Sequence, residues 1–342
     1  MRRRTFLATS AAIVAGCARP ARLSPQPGPQ RGIAFDGYGG NPGPDDFAAM
    51  SNLGATHVAL FPYAYMERHT APEVRRFVGT GVDRSLTDEG LLAMGTMAKN
   101  AGLRVLVLPT LDDFRDGYWR GMVRMHSEDE WRLWWGSYRL FVLHYARLAR
   151  KIGAVGFSVG TELRETAHRE AEWRDTIGMV REAFPGWITY AANWDDYDRV
   201  PWWDAVDLIG IQAYFELGDP SAAPPAERRA RLVAAWQPIK QRLVSLSEDT
   251  GKRIAFTEIG YKSHSGATAF PWKWEIEGVQ DLSLQSAAYE AAFEAFWNEP
   301  WFAGFYWWKW RPAGALGRDY ERDFQPQGKP AEAVMRRHYS RS

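Results

Sequence analysis

Four times along this chain an amphipathic stretch ends at a glycine and a short apolar run follows at once: KNAG-LRVLVLP, RKIG-AVGFSVG, FPG-WITYAANW and EDTG-KRIAFTEIG. Gly102, Gly153, Gly186 and Gly251 stand where a helix C-terminus needs a residue at positive φ before the chain turns into a strand. The repeat therefore reads as an αβ joint. Counting apolar runs gives eight, at residues 32–38, 57–63, 104–110, 154–160, 187–193, 207–214, 253–259 and 302–310. Helical patterns fall between most of them, at 45–53, 86–101, 127–152, 168–184, 226–250 and 283–299, with a last one at 330–339. The third opens with Ser127-Glu128-Asp129-Glu130, a capping box. Only the join around VPWWDAV, between the fifth and sixth runs, is too short for a full helix.

Strands that are continuously apolar, rather than alternating, belong to a parallel sheet covered on both faces. Eight of them with crossover helices predict an α/β fold of one domain, a closed (β/α)8 TIM barrel over residues 31–342. An open doubly wound sheet is the rival, but no G-x-G-x-x-G follows the first run, and GYGGNPG is wrongly spaced for one.

The N-terminus has a different character and is set apart from the fold. MRRRTFLATSAAIVAGC carries paired arginines, Arg3 and Arg4, ahead of a short apolar segment, and resembles a twin-arginine export signal. Val14-Ala15-Gly16-Cys17 resembles a bacterial lipobox. Residues 1–17 are thus expected to direct export, with Cys17 lipidated, and the Pro-rich segment 18–30 to serve as a tether. The folded domain would then sit on the periplasmic or cell-surface face of a bacterial membrane, reaching the membrane only through its lipid. Cys17 is the single cysteine, so no disulfide or cysteine metal site forms within the chain.

Charge points away from nucleic acid: 42 Lys and Arg stand against 41 Asp and Glu, which leaves no basic field. The 17 tryptophans point towards a carbohydrate, because indole faces stack on sugar rings, although core packing claims a share of them.

Within the barrel, reacting groups come from the C-terminal ends of strands and the loops after them. Glu162 follows the fourth apolar run, in SVGTEL, and Glu258 lies in the seventh, in FTEIGY, so both carboxylates should face one mouth. Glycoside hydrolysis needs such a pair, one protonated to give a proton to the leaving oxygen and one ionised to attack or to activate water. A zinc or di-iron site lacks its pattern, since Glu165 and His168 form a single Glu-x-x-His pair. Gly156-Phe-Ser158-Val-Gly160 has the letters of a serine-nucleophile elbow, but it lies inside a strand. No cofactor is called for, and a monomer is expected.

SVGTEL, FTEIGY and the Trp-rich FYWWKW of strand eight resemble the clan of retaining barrel glycosidases, and within it glycoside hydrolase family 113, whose characterised members are endo-β-mannanases. The resemblance spans residues 31 to 312. It implies Glu162 as general acid/base and Glu258 as nucleophile, with β-1,4-mannan as first substrate. Another β-glycan, such as an envelope or capsular polysaccharide, and a non-catalytic carbohydrate-binding lipoprotein are the alternatives. Much of the clan has Asn immediately before the acid/base, contacting the sugar 2-hydroxyl; Thr161 stands there, and Asn193 is the candidate substitute. A His expected near Thr110 is also missing. Tyr214 is placed to hold Glu258. Of Trp307, Trp308 and Trp310, one or two should floor the cleavage subsite. Asp36, Tyr38, Asp112, Trp119 and Arg120 complete the candidate substrate contacts.

Overall fold

Six of the eight barrel strands follow directly on an α-helix. The computed structural model describes residues 24–112, 116–275, 278–317 and 319–340. The export signal, Cys17 and residues 18–23 lie outside the described residues. Eight parallel strands close a barrel in sequence order: β1 (Gln30–Phe35), β2 (His57–Leu60), β3 (Arg104–Val107), β4 (Gly156–Thr161), β5 (Trp187–Asn193), β6 (Leu208–Gln212), β7 (Ile254–Ile259) and β8 (Phe302–Trp310), with β8 pairing back onto β1. Outside them lie α1 (Pro44–Asn52), α2 (Asp88–Asn100), α3 (Glu128–Ile152), α4 (Glu170–Ala183), α5 (Pro225–Thr250), α6 (Leu282–Phe296) and α7 (Pro330–Tyr339). The expected barrel is the one observed.

Three of the four joint glycines have the expected left-handed backbone, with φ of 79° at Gly102, 73° at Gly153 and 65° at Gly251. Gly186 does not. There α4 ends at Ala183 with an extended cap, and glycine is required for space: a Cβ would stand 2.5 Å from the Phe184 ring and from the Val155 carbonyl. At the start of α3, Ser127 Oγ accepts from Glu130 N–H at 3.2 Å, but the returning bond reaches one residue further back than a capping box requires, to His126 N–H.

Strand side chains alternate between barrel interior and helix layer. The lower interior is plugged by two buried aromatics, Trp187 and Tyr306. Gly156 and Gly32 make room for them, since a Cβ would fall 2.3 Å from the Trp187 ring and 2.5 Å from that of Tyr306. The layer between strands and helices absorbs much of the tryptophan. Trp135, Trp173 and Trp202 are all buried there, with ring centroids 5.2 and 4.9 Å apart in succession. Trp202 belongs to the short β5–β6 join, where two 3-10 turns, Tyr197–Arg199 and Trp203–Ala205, replace a helix and their indoles cover the strands. Tryptophan content thus reports core packing more than sugar binding.

Two features depart from the expected boundaries. The chain of β2 and β3 continues past the barrel into a small sheet of Tyr63–Tyr65, Arg75–Arg76 and Thr110–Leu111 at the C-terminal rim. At the other end β1 begins inside the expected tether, and the Arg253 guanidinium holds the carbonyls of Gln26 and Gly28 at 3.0 and 2.9 Å. Among the described residues no helix is long and apolar enough to cross a membrane.

Candidate active site

Glu162 is the first residue beyond β4, and its backbone is left-handed, with φ of 53°. A residue with a Cβ pays roughly 1–2 kcal/mol for that conformation, and such strain gathers at functional sites. Its N–H still bonds Ala191 O of β5 at 2.8 Å, so the sheet sets the position from which the chain turns. The carboxylate is no helix cap. Oε2 accepts from Trp119 Nε1 at 3.2 Å and Arg120 Nη1 at 2.6 Å, both on the β3–α3 loop. Arg120 is itself anchored through Nε to Leu111 O at 2.5 Å and pairs with Asp112 at 3.3 Å. Burial alone would pull the guanidinium pKa down, but the charges of Asp112 and Glu162 outweigh it and raise the value, so the cation is permanent.

Glu258 lies one residue from the end of β7, on the far side of the barrel order. Oε2 accepts from Tyr214 Oη at 2.8 Å. Gln212, at the end of β6, receives the Thr257 hydroxyl at 2.8 Å and hydrogen-bonds the Glu258 carboxylate with its side chain. Although partly exposed to the mouth, Glu258 loses enough hydration to lift its pKa to about 8. The charge of Glu162 adds to that rise, while Tyr214, Arg120 and Gln212 oppose it. Arg120 responds to both glutamates, which places them in one electrostatic site.

The β7–β8 wall carries Trp308, which faces inward with Tyr214 and Phe61, its ring edge-on to Phe61 at 5.4 Å. Beside it Lys309 turns into the mouth and pairs with Asp36 at 3.3 Å and Asp323 at 3.8 Å.

Residues 36–329 match the family model for Glycoside Hydrolase Family 113. The chain belongs to this family. It is a glycoside hydrolase. Among solved structures it is similar to a family 113 β-mannanase from Alicyclobacillus acidocaldarius in complex with ManMIm, at 32% identity over 92% of this chain and 97% of that one, with a TM-score of 0.77. It is also similar to a family 113 β-1,4-mannanase solved as a complex, at 27% identity over 92% of this chain and all of that one, TM-score 0.76. A β-glucuronidase from Ruminococcus gnavus shares the barrel alone, with 12% identity and a TM-score of 0.61 over half of its own length. No match was found among curated protein sequences.

Within this glycoside hydrolase several expected contacts fall elsewhere. Trp307 is fully buried on the helix side, stacked on Tyr289 of α6 at 3.8 Å, and Trp310 belongs to the same outer layer. Simple alternation would put Trp308 and Trp310 on one face. The β1–β8 register instead skips Lys309, pairing Ala34 with Trp308 and Phe35 with Trp310, and this bulge turns Trp310 outward. Thr161 is buried, and its hydroxyl donates to Pro109 O at 3.3 Å and lies 3.5 Å from Thr110 Oγ1. The two threonines fasten β4 to the end of β3, in the region where a histidine was expected. Asn193 is buried at the end of β5, its amide donating to Asp195 at 2.6 Å. Asp36 is enclosed by Lys309 and Arg311, and Asp112 serves Arg120. Tyr38 is 55% exposed on the outer loop, with its backbone tied to Asp36 and Arg311. Ser158 is fully buried and donates to Gly160 O at 2.6 Å, as its strand position requires.

Three site residues escaped the sequence reading. Tyr63 sits in the field of Asp36, Asp112 and Glu258, and burial first, then those charges, raise its hydroxyl pKa. Gln212 and Lys309 lie at the ends of β6 and β8, so strand-end position was the signal that could have marked both.

Proposed function

We propose that this protein hydrolyses β-1,4-mannan with retention of configuration, using Glu258 as nucleophile and Glu162 as general acid/base. The observation that carries the reading is the pair of strand-end glutamates sharing one mouth, each with its own donors, in a chain similar to solved family 113 β-mannanases. In the first step the Glu258 carboxylate attacks the anomeric carbon. The bond to the leaving sugar oxygen breaks, and Glu162 gives that oxygen its proton. In the second, Glu162 takes a proton from water, which displaces Glu258 from the anomeric carbon. Both donors on Glu162 occupy Oε2, so Oε1 is the oxygen available to carry the proton.

A pKa of about 8 for Glu258 describes the site while Glu162 is charged. Once Glu162 holds the proton its repulsion disappears, and Tyr214, Gln212 and Arg120 favour the ionised nucleophile. That arrangement, with the proton on Glu162 and the charge on Glu258, is what the first step requires.

The test is reducing-end release from soluble mannan, glucan and xylan by the full-length protein. Mannan should be cleaved, with losses on the order of 10²-fold or more in both Glu162→Gln and Glu258→Gln. Azide added to Glu162→Ala should yield a glycosyl azide of retained configuration; an inverted product reverses the two roles. The N-terminal motif supports a further part of the proposal, export and lipidation at Cys17. Cells fed labelled fatty acid should label the protein, and Cys17→Ala should abolish the label. An unlabelled wild-type protein overturns the anchor.

A further inference from the structure

We propose that the loop after β7 carries a stacking platform for sugar units beyond the cleavage point, with Trp274 beside the mouth and Trp272 and Phe270 further along. The inference rests on the glycoside hydrolase reading and extends it to how a long chain is held. Three large aromatic side chains within five residues remain well exposed: Trp274 at 66%, Trp272 at 45% and Phe270 at 49%. A loop that merely joined β7 to α6 would gain nothing by exposing them, and concentrated apolar surface of this kind marks a binding face.

The rings are exposed but not loose. Trp274 stands edge-on to Phe324 at 6.2 Å, with Lys309 Nζ 5.5 Å from its ring centroid. Trp272 Nε1 donates to Glu216 of the β6–α5 loop at 3.0 Å, and Phe270 meets Trp272 at 78°. Fixing an aromatic ring before the ligand arrives removes part of the ordering cost of binding.

Continuity with the mouth identifies the occupant. Lys309 lies over Trp308 as well as Trp274, at 5.6 and 5.5 Å, and its ammonium is held by Asp36 and Asp323. One buried cation therefore joins an indole that faces the catalytic mouth to an indole that faces solvent. A β-linked hexose chain presents the apolar C–H faces that indoles stack upon, and the shared Lys309 sets Trp274 next to the mouth such a chain must leave. The platform belongs to that chain, and it makes long substrates better than short ones.

The experiment compares kcat/KM on mannohexaose and mannobiose for the full-length protein and Trp274→Ala. The ratio of long to short should fall about tenfold, the equivalent of about 1.4 kcal/mol. Val279→Ser, an exposed change nearby, should leave the ratio as in the wild type. Retardation in native gels containing soluble mannan, measured in a Glu258→Gln background, should weaken when Trp274→Ala is added. A ratio within about twofold of wild type overturns the platform, as does a Trp274→Ala variant that changes only self-association in sedimentation. If the wild type cleaves no mannan of any length, the mannan reading fails. The platform is then judged on gels of other soluble β-glycans, where retardation by none of them, or retardation independent of Trp274, overturns it.

Discussion

Removing the hydroxyl of Tyr214 isolates what the fold does to the nucleophile. Tyr214 donates to Glu258 Oε2 at 2.8 Å, and that bond is the first of the interactions opposing the rise of the Glu258 pKa to about 8. Tyr214→Phe keeps the ring, which remains packed near Phe324 at 6.3 Å, so the barrel should fold as before. A hydrogen bond to a charged group contributes roughly 1.5–3 kcal/mol, so kcat for glycosylation should fall by roughly ten- to a hundredfold. The pH profile supplies an independent sign. Glu258 attacks only when ionised, and activity is lost as pH falls through its pKa. Loss of the tyrosine bond raises that pKa further, so the acidic limb of kcat/KM must move to higher pH. An aryl glycoside with a good leaving group is the substrate of choice, because its departure needs little help from Glu162. A limb that stays in place or moves down, with a rate loss under about twofold, refutes the view that Tyr214 sustains the charge on Glu258.

Trp307 and Trp308 are neighbours with opposite tasks. Trp307→Ala should lower stability by about 3–5 kcal/mol through the cavity it leaves against Tyr289, read as a fall in Tm, with the specific activity of the folded fraction kept. Trp308→Ala should retain most of the Tm and lose turnover; equal effects from both would contradict the register skip at Lys309. Asp196, 1% exposed, is lifted to a pKa of about 7 by burial first, then by the charges of Asp195 and Glu162. A raised carboxyl pKa contributes stability that is complete below the ordinary aspartate value and is lost as pH rises through about 7. Asp196→Asn should therefore match the wild type in acid and exceed it in alkaline buffer by on the order of 4 kcal/mol, seen by thermal melting; an advantage confined to acid would invert the argument.

Much of the site was legible because strand ends are written locally. Glu162 closes a run of small apolar residues and Glu258 lies near the end of another, and a parallel barrel brings all such ends to one rim. Tyr214 could be assigned to Glu258 on the same ground, since neighbouring strands put their ends side by side. Trp119 and Arg120 were placed near the site but not on Glu162, because the β3–α3 loop approaches that residue from 42 positions away in sequence. Which of the three strand-eight tryptophans faces the mouth was not legible, because one skipped residue in the register turns Trp310 to the other face.

Sequence alone determined the repeating unit of this protein. Glycine stops, amphipathic periods and apolar runs act over a few residues, and their eightfold recurrence leaves a closed barrel as the shape that buries them all. Tertiary structure decided the chemistry of the mouth: that Thr161 spends its hydroxyl on Pro109, that Lys309 bridges two indoles, and that Glu258 resists ionisation while Glu162 is charged. Those outcomes depend on fields and contacts between elements far apart in the chain, which local patterns do not encode.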